Sequence, residues 1–228
     1  MTRSAPTDTR TRLLDAAERH FAERGFDGAS LRQITSDARA NLAAAHYHFG
    51  SKEDLFVAVL ARRIEPISRE RLDRLDQVES DAAGEPVPLE AVLAAFVGPP
   101  LRAGASASGG RECLLRLFGR MQSEPEALWK RIVDGPLRET RKRFAAALRR
   151  ALPRLTDEEL AWRMHFVIGT MTGVAADQHR LRLLSNGRCD PSDIDGTIRQ
   201  LVPFLAGGLR AAKAPSRSSA TAAGRRQR

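Results

Sequence analysis

The sequences Ser-Leu-Arg-Gln-Ile at residues 30–34 and, after a polar turn, Asn-Leu-Ala-Ala-Ala-His-Tyr-His-Phe-Gly-Ser-Lys-Glu-Asp-Leu at residues 41–55 predict three short helices in quick succession. Each helix has its own capping residue: Ser30 in a capping box with Gln33, then Asn41, then Ser51 with Asp54 close behind. Two short helices joined by a tight turn, with small and polar side chains on the second, are typical of a helix-turn-helix. The segment therefore predicts a DNA-reading motif over about residues 30–49.

The composition is that of a folded protein without a membrane segment. The chain has 228 residues, of which 42% are hydrophobic and 29% charged. No apolar run approaches the roughly 18 residues that span a bilayer, and Met1–Pro6 lacks the apolar segment of a signal peptide. The only two cysteines, Cys113 and Cys189, show neither a disulfide framework nor metal-ligand spacing. We expect a cytoplasmic, nucleoid-associated protein with no metal, no cofactor and no membrane partner.

The net charge of +9 does not by itself indicate nucleic-acid binding, because of where it lies. Residues 1–55 are neutral, with eight basic and eight acidic side chains, whereas residues 56–110 carry −2 and residues 155–210 carry −1. The excess lies in residues 111–154, at +7, and in residues 211–228, at +5. The first of these basic segments would suit an anionic head group, but such a run is more often a solvated helix face.

Apolar residues recur with a helical period along most of the chain, and no strand alternation persists. In the first half of the chain, besides the helices of the motif, we expect a helix over residues 9–24 ended by Gly25, a long helix from Ser51 to Pro66 with a charged helical stretch beyond it to residue 76, and a helix over residues 89–101 stopped by Pro99-Pro100. A helix over residues 111–122 follows, and then one from a Ser123–Glu126 capping box to residue 152, kinked at Gly135-Pro136. The last two helices run from a Thr156–Glu159 capping box to residue 184, and from a cap at Asp190-Pro191 to Gly207-Gly208.

The architecture that follows is all-α, with about nine or ten helices. We predict an N-terminal three-helix bundle with the helix-turn-helix over residues 1–55, and a larger helical ligand-binding and dimerisation domain over residues 56–210. Residues 211–228 contain no large apolar side chain and are expected to form a disordered basic tail.

Residues 9–60 resemble the TetR family of bacterial transcription regulators. The resemblance rests on Phe21–Phe26 at the end of the first helix, on the helix-turn-helix, and on the run Tyr47–Leu55. In that family the residues matching Asn41 to Tyr47 lie in the major groove or on phosphates, and the lysine matching Lys52 contacts the DNA backbone. The resemblance therefore implies a homodimeric repressor that binds a palindromic operator in double-stranded DNA.

The side chains of the motif suit these roles. Ala43 and Ala44 let a helix approach base edges closely, and a methyl group can contact thymine. Tyr47 can donate its hydroxyl to a phosphate, and Lys52 stands at a helix N-terminus that favours an anion. The candidate DNA-binding residues are Arg32, Arg39, Asn41, Ala43, Ala44, His46, Tyr47 and Lys52, although Arg32 could equally be a solvated side chain.

Two positions depart from the family pattern. Thr35 stands where members usually have Ala, and Arg39-Ala40 stands where Gly and a small aliphatic residue are common. The glycine lies in the turn between the helices, where a positive φ is cheap only without a Cβ. Arg39 in that conformation would cost roughly 1 kcal/mol, or it could supply a phosphate contact that a neutral domain otherwise lacks.

The resemblance continues more weakly in the larger domain, where residues 114–120, 123–125 and 161–166 are similar to the fatty-acid-responsive subgroup. It implies a small hydrophobic or acyl-type effector. The candidate ligand-binding residues are inward side chains, for most of which plain core packing is the alternative: Phe96, Cys113, Leu117, Met121, Trp129, Val133, Met164, Ile168 and Met171.

The candidate dimer-interface residues lie on the last two long helices: Gly169, Thr170, Gly173, Ala176, Ile198, Leu201, Val202 and Leu205. Packing within one chain is the alternative for these.

Two other classes of protein fit the sequence less well. The sequence offers no Gly-rich phosphate loop and no nucleophile elbow, so a helical enzyme is disfavoured. His46 and His48 point about 200° apart on a helix and cannot share a metal ion. The remaining alternative is an effector-independent dimeric DNA-binding protein, in which the larger domain only dimerises.

Overall fold

A computed structural model of the chain describes residues 8–106, 125–176 and 178–212, with the side chains of residues 104–106, 178 and 179 excepted. The described ranges contain helices and no strand, so the predicted all-α fold is confirmed. The helices are α1 (Thr9–Gly28), α2 (Leu31–Asp37), α3 (Leu42–Phe49), α4 (Lys52–Asp81), α5 (Leu89–Ser106), α6 (Glu126–Asp134), α7 (Arg138–Ala151), α8 (Asp157–Ala176), α9 (Gln178–Leu184) and α10 (Ile194–Arg210). The predicted helix at residues 111–122, the Ser123 half of a capping box and residues 213–228 of the tail lie outside the described ranges.

The N-terminal core joins α1, α2, α3 and the first part of α4. Phe21, Phe26 and Phe56 stack and meet edge to face at its centre, with ring centroids 4.9–6.3 Å apart. Gly25 has φ +72°, so the helical path of α1 is interrupted there as the sequence predicts, and a further turn carries α1 to Gly28. This packing fixes α3 against the rest of the bundle and leaves its other face outside.

Two of the three predicted caps are confirmed. The Asn41 side chain accepts a hydrogen bond from the Ala44 amide at 2.8 Å, and Ser51 Oγ accepts from the Asp54 amide at 3.0 Å. The capping box at Ser30 is wrong: Ser30 is the N-cap residue, but its side chain makes no capping bond, and the Gln33 side chain accepts a hydrogen bond from Arg24.

The two predicted proline stops are wrong. The helix α4 passes through Pro66 and runs on to Asp81, and α5 passes through Pro99 and Pro100 to Ser106. A proline ring removes the amide that would bond to the carbonyl four residues earlier. In α5 the Phe96 carbonyl is one of those left without an amide partner, and Arg71 Nε of α4 donates to it at 2.7 Å.

The break at Gly135-Pro136 separates helices that belong to different cores. On its N-terminal side, α6 buries Leu128 and Ile132 in the N-terminal core. On the other side, α7 buries Phe144 and Leu148 in a second core, formed with α5, α8, α10 and the end of α4. The carbonyl of Arg131 would lie 2.7 Å from a Cβ at residue 135, so only glycine fits the break without a shift.

The C-terminal helices follow the sequence in part. The Thr156–Glu159 capping box is confirmed, with Thr156 Oγ1 accepting from the Glu159 amide and Glu159 accepting from the Thr156 amide. The predicted cap of the last helix is wrong: Asp190 accepts from Ser192 in the preceding turn, and Asp193 caps α10 through the Gly196 amide at 2.7 Å. That helix also passes through Gly207 and Gly208 and ends at Arg210.

Candidate nucleic-acid interface

The helix α3 presents one face to solvent and holds the bundle with the other. Ala45 is buried, whereas Ala43 is exposed, Ala44 is half-buried and Tyr47 is 86% exposed. Small side chains on the exposed face leave the helix backbone close to any surface that meets it. A large aromatic ring that is almost fully exposed to water is unusual on a folded protein, and it is available to a partner.

His46 is tied to the end of its own helix. Its Nδ1 donates to the Gly50 carbonyl at 2.8 Å, because a carbonyl oxygen can only accept. This contact orients the ring and leaves Nε2 as the atom that can reach a base or a phosphate. Gly50 itself has φ +79°, the left-handed region that ends the helix.

Lys52 lies at the first position of α4, and its side chain folds back over α1. The Nζ atom lies 4.5 Å from the centre of the Phe26 ring and 3.5 Å from the Asp27 carbonyl oxygen. The cation therefore has a defined place beside a helix N-terminus, where the free amides also attract an anion. Sequence reasoning found the lysine but not the ring that positions it.

Arg32 lies on α2 and Arg39 in the turn before α3, both with exposed side chains, and neither has a side-chain partner among the described residues. Arg39 has φ +50°, so the turn does use the left-handed conformation that the sequence predicts there. Thr35 is buried and donates its hydroxyl to the Arg32 carbonyl at 3.0 Å, which satisfies the polar group that Ala would lack.

The neutral charge of this domain hides an uneven distribution. Three of its carboxylates are paired with arginines from outside residues 1–55, Asp15 and Glu18 with Arg62 and Asp54 with Arg131. Arg32 and Arg39 have no such counter-charge among the described residues. The exposed side of the motif therefore carries more positive charge than the composition of residues 1–55 suggests.

The predicted ligand-binding residues do not gather in one place. Phe96 and Met171 are buried in the second core and both contact Arg71, and Met164 packs against the same core. Trp129 instead packs against the N-terminal core, and Val133 is half-buried on α6. The inward position predicted for Ile168 is wrong, because 44% of its surface is exposed. Cys113, Leu117 and Met121 lie outside the described residues.

The predicted dimer residues lie in two different environments, buried on α10 and partly exposed on α8. On α10, Ile198, Leu201, Val202 and Leu205 are buried in the core of their own chain, which favours the alternative of packing within one chain. On α8, Gly169 and Ala176 are exposed, Thr170 and Gly173 are half-buried, and a Cβ at either glycine would meet no atom within 4 Å.

The outward side of α8 and α10 carries large apolar side chains. Trp162 and Phe166 are 58% and 59% exposed on α8, and Phe204 is 70% exposed on α10. Arg163 donates to the carbonyls of Leu209 and Ala211 and so fastens α8 to the end of α10. We call Trp162, Phe166 and Phe204 the α8/α10 face. The sequence signal for Phe204 is its helical phase, which lies about 100–120° away from that of Ile198 and Leu205.

Sequence reasoning also missed Arg71, which is 6% exposed within the second core. The available signal is its spacing, since it occupies an inward position of α4 between the buried residues Ile67 and Leu75.

No group of three metal-binding side chains occurs among the described residues. None of the helices in these ranges is long and apolar enough to cross a membrane.

Two family models match the chain. Residues 13–59 match "Bacterial regulatory proteins, tetR family", and residues 94–208 match "Tetracyclin repressor-like, C-terminal domain". One relative is the HTH-type transcriptional repressor AcnR of Corynebacterium glutamicum, which is 36% identical over 76 residues, 33% of this chain and 36% of that protein. The nicotine-responsive repressor HdnoR of Paenarthrobacter nicotinovorans is 40% identical over 67 residues, 29% of this chain and 34% of that protein. The chain thus spans about a third of the length of the relatives it matches.

Solved structures share the whole fold at low identity. FadR of Bacillus subtilis, in complex with stearoyl-CoA, superposes with a TM-score of 0.59 at 14% identity and covers 87% of this chain and 98% of its own. FadR of Bacillus halodurans has a TM-score of 0.56 at 20% identity, covering 88% and 99%. The helix-turn-helix geometry, the two-core helical architecture and the two family models agree. The chain belongs to the tetR family of bacterial regulatory proteins.

Proposed function

We propose that the protein is a homodimeric transcriptional repressor that binds a palindromic DNA operator through residues 30–52. The observation that carries this proposal is the exposed side of the reading motif. Tyr47, Arg32 and Arg39 reach into solvent there, around a helix face made of small side chains. Groups of this kind contact phosphates and base edges when a helix enters the major groove.

Dimerisation would use the α8/α10 face in place of the buried α10 residues. Trp162, Phe166 and Phe204 are too large and too apolar to be left in water without cause. Joining two copies across a two-fold axis buries the same face twice and places two reading helices on successive half-sites. A single motif makes too few contacts to bind an operator tightly.

The effector would be a small hydrophobic or acyl-type molecule bound in the larger domain. The protein would act by binding and not by catalysis, in the cytoplasm at the nucleoid. The FadR of Bacillus subtilis with stearoyl-CoA has the same fold, which makes such a molecule a reasonable first candidate.

The two domains are connected by α4, which contributes to both cores, and by α6, whose Arg131 binds Asp54 at the start of α4. A coupling of about 1–3 kcal/mol through these contacts would suffice to release DNA.

The test is selection of bound sequences from a randomised duplex pool, followed by measurement of affinity against salt concentration. We expect a palindromic site and a steep salt dependence. Tyr47→Phe should weaken binding several-fold by removing one phosphate hydrogen bond. Arg74→Gln, a change to an exposed arginine that pairs with Glu70 on α4, serves as the control and should leave affinity unchanged. Failure to enrich any sequence would contradict the proposal.

A further inference from the structure

Arg71 is a charged residue inside the apolar core of the larger domain. Its guanidinium lies 4.1 Å from the centre of the Phe96 ring, and Nη2 donates to the Met171 sulfur at 3.5 Å. The side chain therefore reaches from α4 to both α5 and α8. A thioether is a weak acceptor, so this contact satisfies little of the hydrogen-bonding capacity of a guanidinium.

One bond of Arg71 has a purely structural explanation. Pro100 has no amide hydrogen to give to the Phe96 carbonyl, and Arg71 Nε supplies the missing donor at 2.7 Å. A neutral side chain with an N–H group could do the same. The helix break in α5 therefore accounts for a donor at this position but not for a positive charge.

The charge of Arg71 has no carboxylate partner among the described residues. Three of the other four arginines of α4 have one, since Arg62 and Arg63 bind Glu18 and Arg74 binds Glu70, and the fourth, Arg69, is exposed to water. Burial lowers the pKa of Arg71 to about 10, which still leaves the side chain charged at neutral pH. A buried charge without a partner destabilises a fold, so its retention calls for an anion that is not part of the described chain.

Two further buried donors lie on helices that contribute to this core. Ser68 is one helical turn before Arg71 on α4, and Thr140 is one turn before Phe144 on α7, whose ring centroid lies 5.1 Å from that of Phe96. Both hydroxyls are buried and lack a hydrogen-bond partner within the described ranges. A guanidinium and two hydroxyls among aromatic and aliphatic side chains form a donor set that suits an oxyanion with an apolar body.

We propose that Arg71 is the anion-binding residue of the effector site and that the effector is an apolar monocarboxylate. Its carboxylate would pair with the guanidinium, and its apolar part would lie against Phe96 and Met171. A monoanion matches the single positive charge, whereas a phosphate dianion would leave surplus charge buried. The inference rests on the proposed function, since it names the chemistry of the molecule that switches the repressor.

The experiment measures the melting temperature of the full chain with octanoate, decanoate and benzoate, each against the alcohol of the same skeleton. Arg71→Gln removes the charge but keeps an N–H donor for the Phe96 carbonyl, Arg71→Lys keeps the charge, and Arg74→Gln is the matched control. At a large excess over Kd, we expect at least one carboxylate to raise the wild-type Tm by several degrees. Arg71→Gln should weaken that carboxylate at least about 10-fold, with Arg71→Lys intermediate and Arg74→Gln unchanged.

Three results would overturn the inference. The alcohols could stabilise the protein as well as the carboxylates, or Arg71→Gln could bind carboxylates with wild-type affinity. Ligand-free Arg71→Gln could also melt well below wild type, which would show that contacts within the chain, and not an effector, account for the buried charge. Operator binding, measured in parallel, separates the two hypotheses: wild-type protein that binds its operator but no carboxylate refutes the effector class and leaves the proposed function standing.

Discussion

Arg39 is subject to two opposing effects at a single position. Its backbone has φ +50°, which is strained for a residue with a Cβ, while its exposed guanidinium is free to meet a phosphate. A glycine would relieve the strain and remove the cation. The same substitution should therefore improve the fold and harm the function.

We predict that Arg39→Gly raises the free energy of unfolding by about 0.5–1 kcal/mol, as the left-handed strain is partly offset by the greater freedom of an unfolded glycine. Operator affinity should fall, and the slope of log K against log salt should become shallower by about 1. Urea unfolding and binding titrations at several salt concentrations measure both effects. Asn186→Gly is the control, because Asn186 also has φ +50° but lies after α9, in the larger domain. Unchanged salt dependence in Arg39→Gly would show that Arg39 touches no phosphate.

Single residues were predictable from the sequence where the relevant interaction is local. Asn41 and Ser51 cap their helices because the acceptor and the amide stand three residues apart. The Ser30 box does not form and Gln33 is bound by Arg24 from another helix, and Lys52 rests on a ring 26 positions before it in the chain. Long-range partners of this kind leave no local pattern in the sequence.

The start of α4 is where the reading motif meets the rest of the protein. Asp54 lies in its first turn, binds the Ser51 hydroxyl and accepts a hydrogen bond from Arg131 of α6. The Ser51 hydrogen bond, followed by the Arg131 guanidinium, lowers the pKa of the Asp54 carboxyl. Because the folded pKa lies below the unfolded one, the carboxylate stabilises the fold above about pH 4, and this contribution is lost as the pH falls through the folded pKa.

We predict that Asp54→Asn lowers the free energy of unfolding at pH 7 by about 0.5–1 kcal/mol, a modest value because the pair is partly exposed and screened by solvent. The difference from wild type should shrink below about pH 4, where the carboxylate becomes protonated. Glu53→Gln is the matched control, since Glu53 shares the first turn of α4 and shows no side-chain partner in the described structure. Urea unfolding across pH 3–8 gives both curves. A constant difference at every pH would rule out the carboxylate as its source.

Helices were predicted correctly in type and less well in extent. Pro66, Pro99 and Pro100 indicated stops, yet α4 and α5 continue through them, because tertiary packing holds the helix and Arg71 supplies a donor to the Phe96 carbonyl. The break at Gly135-Pro136 was predictable because glycine and proline act there together. Which core each side joins depends on packing, and the sequence does not encode it locally.

At the scale of the whole molecule, the proposed dimer contact rests on the exposed surface of the larger domain and not on helical periodicity. The apolar period of α10 points to Ile198, Leu201 and Leu205, but one chain already buries those residues between its own helices. The side chains that a second copy could cover are the ones left over on the outside. A family resemblance names the helices that meet, whereas only the fold decides which face of each helix is free.

We predict that Phe204→Glu raises the dissociation constant of the dimer at least about 100-fold, because two symmetry-related rings lose their apolar contact at roughly 1.5–3 kcal/mol each. Phe204 is 70% exposed in the protomer, so the melting of the isolated chain should hardly change. Leu184→Glu is the control, since Leu184 is 77% exposed but lies on α9, a helix that contributes no residue to the α8/α10 face. Sedimentation velocity over a range of concentrations measures the dimer, and operator binding by Phe204→Glu should weaken in step with it. A variant that stays dimeric would place the interface elsewhere, and a monomer with full operator affinity would instead contradict the two-half-site mode of binding.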